Sequence, residues 1–257
     1  MENEKKEIND SENAAPKSMM NKILIYGVCL VVIVAVGFIA ALNIAGGQGG
    51  SPEFKKVLEL AEKGDSHAQF LIGKQYFDGK NIQKNDAEAF QWYEKSAAQG
   101  NADGQNALGV CYEKGRGVKQ NFTEAVKWYQ KAVEQGHAQA MCNLGSCYFR
   151  GNGVKQDFKE AVKLYEKAVA KGDILAQCNL GICYLEGTGI TKDEKKAVEL
   201  FTKSAEAGIP HAMYNAARCY ERGRGVEKDL KKAENYYKKA LDGGMKIAEK
   251  DLQRLKK

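Results

Sequence analysis

Tyrosine recurs at positions 76, 112, 148, 184 and 220, each 36 residues after the last. Glycine keeps the same step at 79, 115, 151, 187 and 223, and again at 100, 136, 172, 208 and 244. Val or Ile follows at 82, 118, 154, 190 and 226 in the same register, and no insertion breaks it. A chain built this way is an array of like units. One unit of this size cannot bury its own apolar face, so neighbours must stack to make a core.

Each unit reads as two helices. In the third, Ala140, Leu144, Cys147 and Tyr148 fall at i, i+4, i+7 and i+8, one stripe of a helix. Gly151 stops that helix, where a left-handed residue costs least. The turn GNGV follows, and the Asn81 that replaces its second glycine in the first unit suits the same backbone. Asp157 is placed to cap the second helix, as are Asn85, Asn121, Asp193 and Asp229 in the other units. Ala161, Leu164, Tyr165 and Ala168 form its apolar stripe. The 27 glycines in 257 residues are therefore turn punctuation. The frame gives a half unit at 53–64, five full repeats over 65–244 and a polar capping helix at 245–257.

The stretches NADGQNALGVCYEKGRGV, QAMCNLGSCYFRGNGV and LAQCNLGICYLEGTGI, each followed by a cap and a second helix, resemble the Sel-1-like repeat, a relative of the tetratricopeptide repeat. The resemblance implies an all-α fold: a right-handed superhelical α/α solenoid of Sel-1-like repeats. It implies a role as adaptor or scaffold in protein–protein recognition, with no enzymatic activity common to the family. The fifth unit has Ala216-Ala217 where the others have Leu-Gly, so looser packing is expected there.

Ahead of the repeats, Ile23 to Pro52 contains no Asp, Glu, Lys or Arg. Its core, Ile23 to Leu42, is long enough as a helix to cross about 30 Å of hydrocarbon, and it shows no polar face. A transmembrane helix is expected at 23–45, with a polar, disordered cytoplasmic tail at 1–22 and a flexible linker at 46–52. The apolar run is longer than a secretory leader's, and five acids precede it, which favours an uncleaved anchor. Lys5, Lys6, Lys17 and Lys22 lie before the run, against Lys55 and Lys56 after it. That bias sets the N-terminus in the cytoplasm and the repeats outside. The chain is thus expected to be a single-pass membrane protein, its repeat domain periplasmic or on the cell surface if the source is bacterial.

The charges follow the repeat, and a net +6 spread in this way argues against nucleic acid. No nucleophile, base and orienting group stand apart from the period, so no enzyme is expected. The three His, at 67, 137 and 211, are far apart in sequence, and no metal site or cofactor is expected. Cys111, Cys147, Cys183 and Cys219 share one repeat position, and Cys142 and Cys178 another. One reading makes them small buried hydrophobes. The other makes disulfides of Cys111–Cys142 and Cys147–Cys178, both 31 residues apart, if the compartment is oxidising.

Binding remains. In stacked helix pairs the first helices line the concave surface. Asn143, Asn179 and Asn215 recur there, and an amide offers both donor and acceptor to a peptide backbone. Ser146 and Arg150 flank Asn143, and Arg218 and Arg222 flank Asn215, on the same helix faces. By analogy with tetratricopeptide repeats, Asn215, Arg218 and Arg222 could grip an acidic segment of a protein or peptide partner. The bland alternative is that the Asn residues bond neighbouring helices. Rival roles are a binding module for a cell-envelope polymer and a disulfide-stabilised, redox-sensitive structural protein.

Overall fold

The computed structural model of the chain describes residues 51–80 and 82–255. The tail at 1–22, the expected membrane helix at 23–45 and most of the linker at 46–52 lie outside the described residues. No helix among the described residues is long and apolar enough to cross a membrane.

The described residues form twelve helices and no strand. A lone helix α1 (Pro52–Glu62) precedes five pairs: α2 (Ser66–Asp78) with α3 (Asp86–Ala98), α4 (Ala102–Lys114) with α5 (Phe122–Glu134), α6 (Ala138–Arg150) with α7 (Phe158–Ala170), α8 (Ile174–Glu186) with α9 (Glu194–Glu206), and α10 (Pro210–Arg222) with α11 (Leu230–Asp242). A short α12 (Ile247–Leu255) closes the order. The second helices start where the sequence places their caps. Asn85, Asn121, Asp157, Asp193 and Asp229 each accept a backbone N–H from the first turn. The backbone N–H of each cap also donates to the carbonyl of the recurrent tyrosine, for example Asp157 to Tyr148 at 3.0 Å. The repeated Tyr thus marks the carbonyl that closes the turn. The first helices are capped as well, by Asp65, Asn101, His137 and Asp173. Ile209 offers no side-chain cap, and Pro210 at the helix start presets the backbone instead.

Within a pair, the Leu-Gly step lets the two helices meet. A Cβ on Gly145 would stand 2.8 Å from the Tyr165 ring, and one on Gly181 2.7 Å from the Phe201 ring. In the fifth unit Ala216, Ala217 and Tyr237 are all fully buried, so the looser packing expected there is absent.

Between repeats, the second turn glycine sets the spacing. Gly153 has φ +71°, and a Cβ there would lie 2.3 Å from the carbonyl oxygen of Phe122 in the preceding repeat. The first helices of consecutive repeats also touch, α2 with α4 and α6 with α8, more closely than the second helices do. The stack therefore curves with its first helices on the inner side.

Candidate binding surface

The expected site residues all lie on first helices: Asn143, Ser146 and Arg150 on α6, Asn179 on α8, and Asn215, Arg218 and Arg222 on α10. The asparagines are occupied between repeats. Asn143 Nδ2 donates to Asn106 Oδ1 at 2.9 Å, and Asn106 Nδ2 donates to Gln139 Oε1 at 3.2 Å. Asn179 Nδ2 points to Cys142 Sγ at 3.5 Å, and Asn215 Nδ2 to Cys178 Sγ at 3.9 Å. The recurrent Asn is thus a rung between neighbouring first helices, and this tie is its first task. Ser146 Oγ likewise stays within the chain, bonded to Cys142 O and to the Tyr165 hydroxyl.

The arginines differ. Among the described residues most inner-face acids have internal partners; Asp78, two repeat lengths before Arg150, is the exception and forms no ion pair. Glu113 accepts from the Tyr129 hydroxyl at 2.6 Å, and Asp103 faces His137 Nε2 at 3.1 Å. Glu186 pairs with Arg224, and Glu221 accepts from Tyr237 and Arg254. Asp251 accepts from Tyr214 and Arg254. Among the described residues Arg150, Arg218 and Arg222 form no ion pair. Arg218 stands 5.9 Å from the centre of the Tyr214 ring. Burial and Asp251 push the Tyr214 phenol up, while Arg218 and Arg222 both pull it back, so the two guanidinium fields meet at one place.

The six described cysteines are buried free thiols. The pairs Cys111–Cys142 and Cys147–Cys178 are not bridged, because their members sit in separate apolar clusters. Burial pushes the Cys111, Cys142 and Cys147 thiols up to about 12 and those of Cys178, Cys183 and Cys219 to about 11, which keeps them protonated and unreactive. Thiol titration of the unfolded, unreduced full chain is expected to count at least six of its seven cysteines; five or fewer would restore the disulfides. No cluster suited to a metal ion occurs among the described residues.

Two junction clamps escape a reading that looks only at equivalent positions. Arg116 bonds Asp86 Oδ1 through Nε at 3.1 Å and Phe77 O through Nη2 at 2.9 Å. Arg224 repeats this with Glu194 at 3.0 Å and Leu185 O at 2.9 Å. Each Arg follows its acid by 30 residues, a signal present in the sequence.

The last helix is held by charge. The hydrogen bond from Arg254 keeps the Glu221 carboxyl below its ordinary value against the pull of burial, and Tyr237 assists. Burial pushes Asp251 up, but Tyr214 and Arg254 together bring it down. Both carboxyls stabilise the fold above their unfolded values, near pH 4–4.5, and lose that contribution as pH falls through their lower folded values. Hydrogen exchange is expected to show α12 losing protection below about pH 4 before the central repeats do. Simultaneous loss across the chain would contradict this.

Antiparallel helix pairs of constant length, stacked through turn glycines with a ladder along one curved face, define a helical-repeat solenoid. The Sel1 repeat profile matches residues 66–101, 102–137, 138–173, 174–209 and 210–245, and the chain belongs to the Sel1 repeat family. A Sel1 repeat protein from Oxalobacter formigenes is similar, with 35% identity and a TM-score of 0.72 over 85% of this chain and 87% of that one. A protective antigen present in uropathogenic Escherichia coli strains is 32% identical, with a TM-score of 0.64 over 76% of this chain and 42% of its own. A Sel1 repeat protein from Klebsiella pneumoniae, 24% identical with a TM-score of 0.56 over 79% of this chain and 99% of its own, shares the fold. No curated protein sequence matches the chain. Membership in this family is consistent with a protein-interaction scaffold.

Proposed function

We propose that the chain is a non-enzymatic, membrane-anchored adaptor that holds an acidic segment of a partner protein against the inner face of its solenoid. The carrying observation is the asymmetry of charge toward the later repeats: Glu186, Glu221 and Asp251 are spent on Arg224, Arg254 and tyrosine hydroxyls, while Arg150, Arg218 and Arg222 form no ion pair among the described residues. A flexible acidic segment can supply those carboxylates, and arginine suits them through its planar fork of donors. The right-handed superhelix expected of the fold would wrap such a segment. The uncharged run at 23–45 supplies the anchor, with the N-terminus in the cytoplasm and the repeats outside.

Crosslinking in intact membranes tests the binding face. Arg218→Glu/Arg222→Glu is expected to lower the yield of crosslinked partner at least tenfold, with an unchanged melting temperature. Equal yields from wild type and variant would end the proposal. Protease added to sealed cells tests the topology: digestion of the repeats only after the cytoplasmic side is opened would reverse it.

A further inference from the structure

Ser146, Phe149, Arg150, Tyr165, Asn179 and Ile182 line a depression of about 100 Å³ on the inner face. Moved back by two repeat lengths, these positions become Lys74, Phe77, Asp78, Tyr93, Ala107 and Val110. All six line a second depression, of about 250 Å³, between α2 and α4. One socket, floored by a Phe and a buried Tyr, is therefore built twice.

In the repeat between them the chemistry differs: Glu113 stands where the phenylalanine does and accepts a hydrogen bond from the Tyr129 hydroxyl. In the fifth repeat Glu221 does the same with Tyr237, reinforced by Arg254. That repeat, two further along the series, presents Arg218 and Arg222 at the positions equivalent to Ser146 and Arg150. The inner face thus carries three stations at equal intervals: a Phe–Tyr socket rimmed by Lys74 and Asp78, a Phe–Tyr socket rimmed by Arg150, and a basic one at Arg218 and Arg222.

We propose that this face takes one extended peptide segment with three spaced anchors. Two apolar side chains fill the two sockets, and an acidic residue beyond them meets Arg218 and Arg222. Adjacent helices pack about 9–10 Å apart, so stations two repeats apart are about 18–20 Å apart. An extended chain advances about 3.3 Å per residue, which sets the anchors about six residues apart. This inference rests on the arginines being the acid-binding station. Charge complementarity and the spacing select the occupant, a flexible partner segment in extended form.

The test uses the full chain and fluorescein-labelled synthetic peptides read by fluorescence polarisation. The peptides have a Gly/Ser background, two Phe separated by two, four, six or eight positions, and three Glu beyond the pair at either end. Binding is expected to peak near a separation of six and to weaken at least tenfold when either Phe becomes Ala. Phe77→Glu and Phe149→Glu copy the second repeat, where Glu113 satisfies the tyrosine hydroxyl. Each variant is expected to bind one-Phe and two-Phe peptides alike, with melting temperature recorded alongside. Binding that ignores separation, or a Glu-only peptide held as tightly as the Phe pairs, would overturn the sockets and leave the arginine reading intact. Phe pairs that bind equally well with Gln in place of Glu would overturn the arginine station instead. Failure of every peptide to bind would overturn both.

Discussion

Gly153→Ala is expected to destabilise the solenoid by about 3 kcal/mol. A left-handed backbone costs a Cβ-bearing residue about 1–2 kcal/mol. Here φ is +71°, and the added methyl would also lie 2.3 Å from the Phe122 carbonyl oxygen and 2.4 Å from its carbon. Those atoms are backbone, so no rotamer change relieves the clash, and overpacking of this kind costs about 1–3 kcal/mol more. Gly172→Ala is the control. Its φ is +86°, yet nothing lies within 4 Å of the added methyl, so only the backbone cost of about 1 kcal/mol applies. Because each repeat contacts mainly its neighbours, the damage should localise. Urea unfolding of Gly153→Ala is expected to separate into two steps as the repeats from α6 onward uncouple from those before. Equal losses for the two variants, or a single shared transition, would refute the junction role of Gly153.

Glu113→Leu should cost about 1–3 kcal/mol, because it strands a buried hydroxyl. Tyr129 is fully buried, and its hydroxyl donates to Glu113 at 2.6 Å. Burial, with Glu113 nearby, pushes that phenol so far up that it stays protonated and must donate. The fourth repeat shows the apolar solution: Leu185 stands where Glu113 does, and Phe201, fully buried, stands where Tyr129 does. The double variant Glu113→Leu/Tyr129→Phe is therefore expected to return to within about 1 kcal/mol of wild type, since removing both partners is nearly neutral. Chemical denaturation of the two single variants and the double variant completes the cycle. Additive losses would show that the pair is not coupled.

The helices, turns and second-helix caps were legible in the sequence because their determinants are local. A Gly, a capping Asp and an apolar stripe act within one or two turns of chain. Contacts between repeats were harder, for a reason particular to repeats. Any two ladders repeat at a fixed offset whether or not they touch, so the regular 31-residue spacing of Cys111–Cys142 and Cys147–Cys178 carried no information about contact. The asparagine face was found, but its partners lie 37 residues back on the preceding first helix, at Asn106, Cys142 and Cys178. That offset depends on how the helices slide past one another. The sockets depend on which residues face each tyrosine, and the role of Glu113 and Glu221 shows only when they are seen against Tyr129 and Tyr237.

The two arginine clamps have a consequence for how such a protein can change over time. Arg116 answers Asp86, and Arg224 answers Glu194. The two middle junctions carry Asn152 after Phe122 and Thr188 after Phe158 instead. Each repeat therefore offers one joint to the unit before it, at its turn, and another to the unit after it, at the start of its second helix, and the joints are of two kinds. Moving the fifth repeat to follow the second would set Arg224 against Phe122. The order of the units is written into their joints, so gene duplication can lengthen this array cheaply only where the duplicated ends are of one kind.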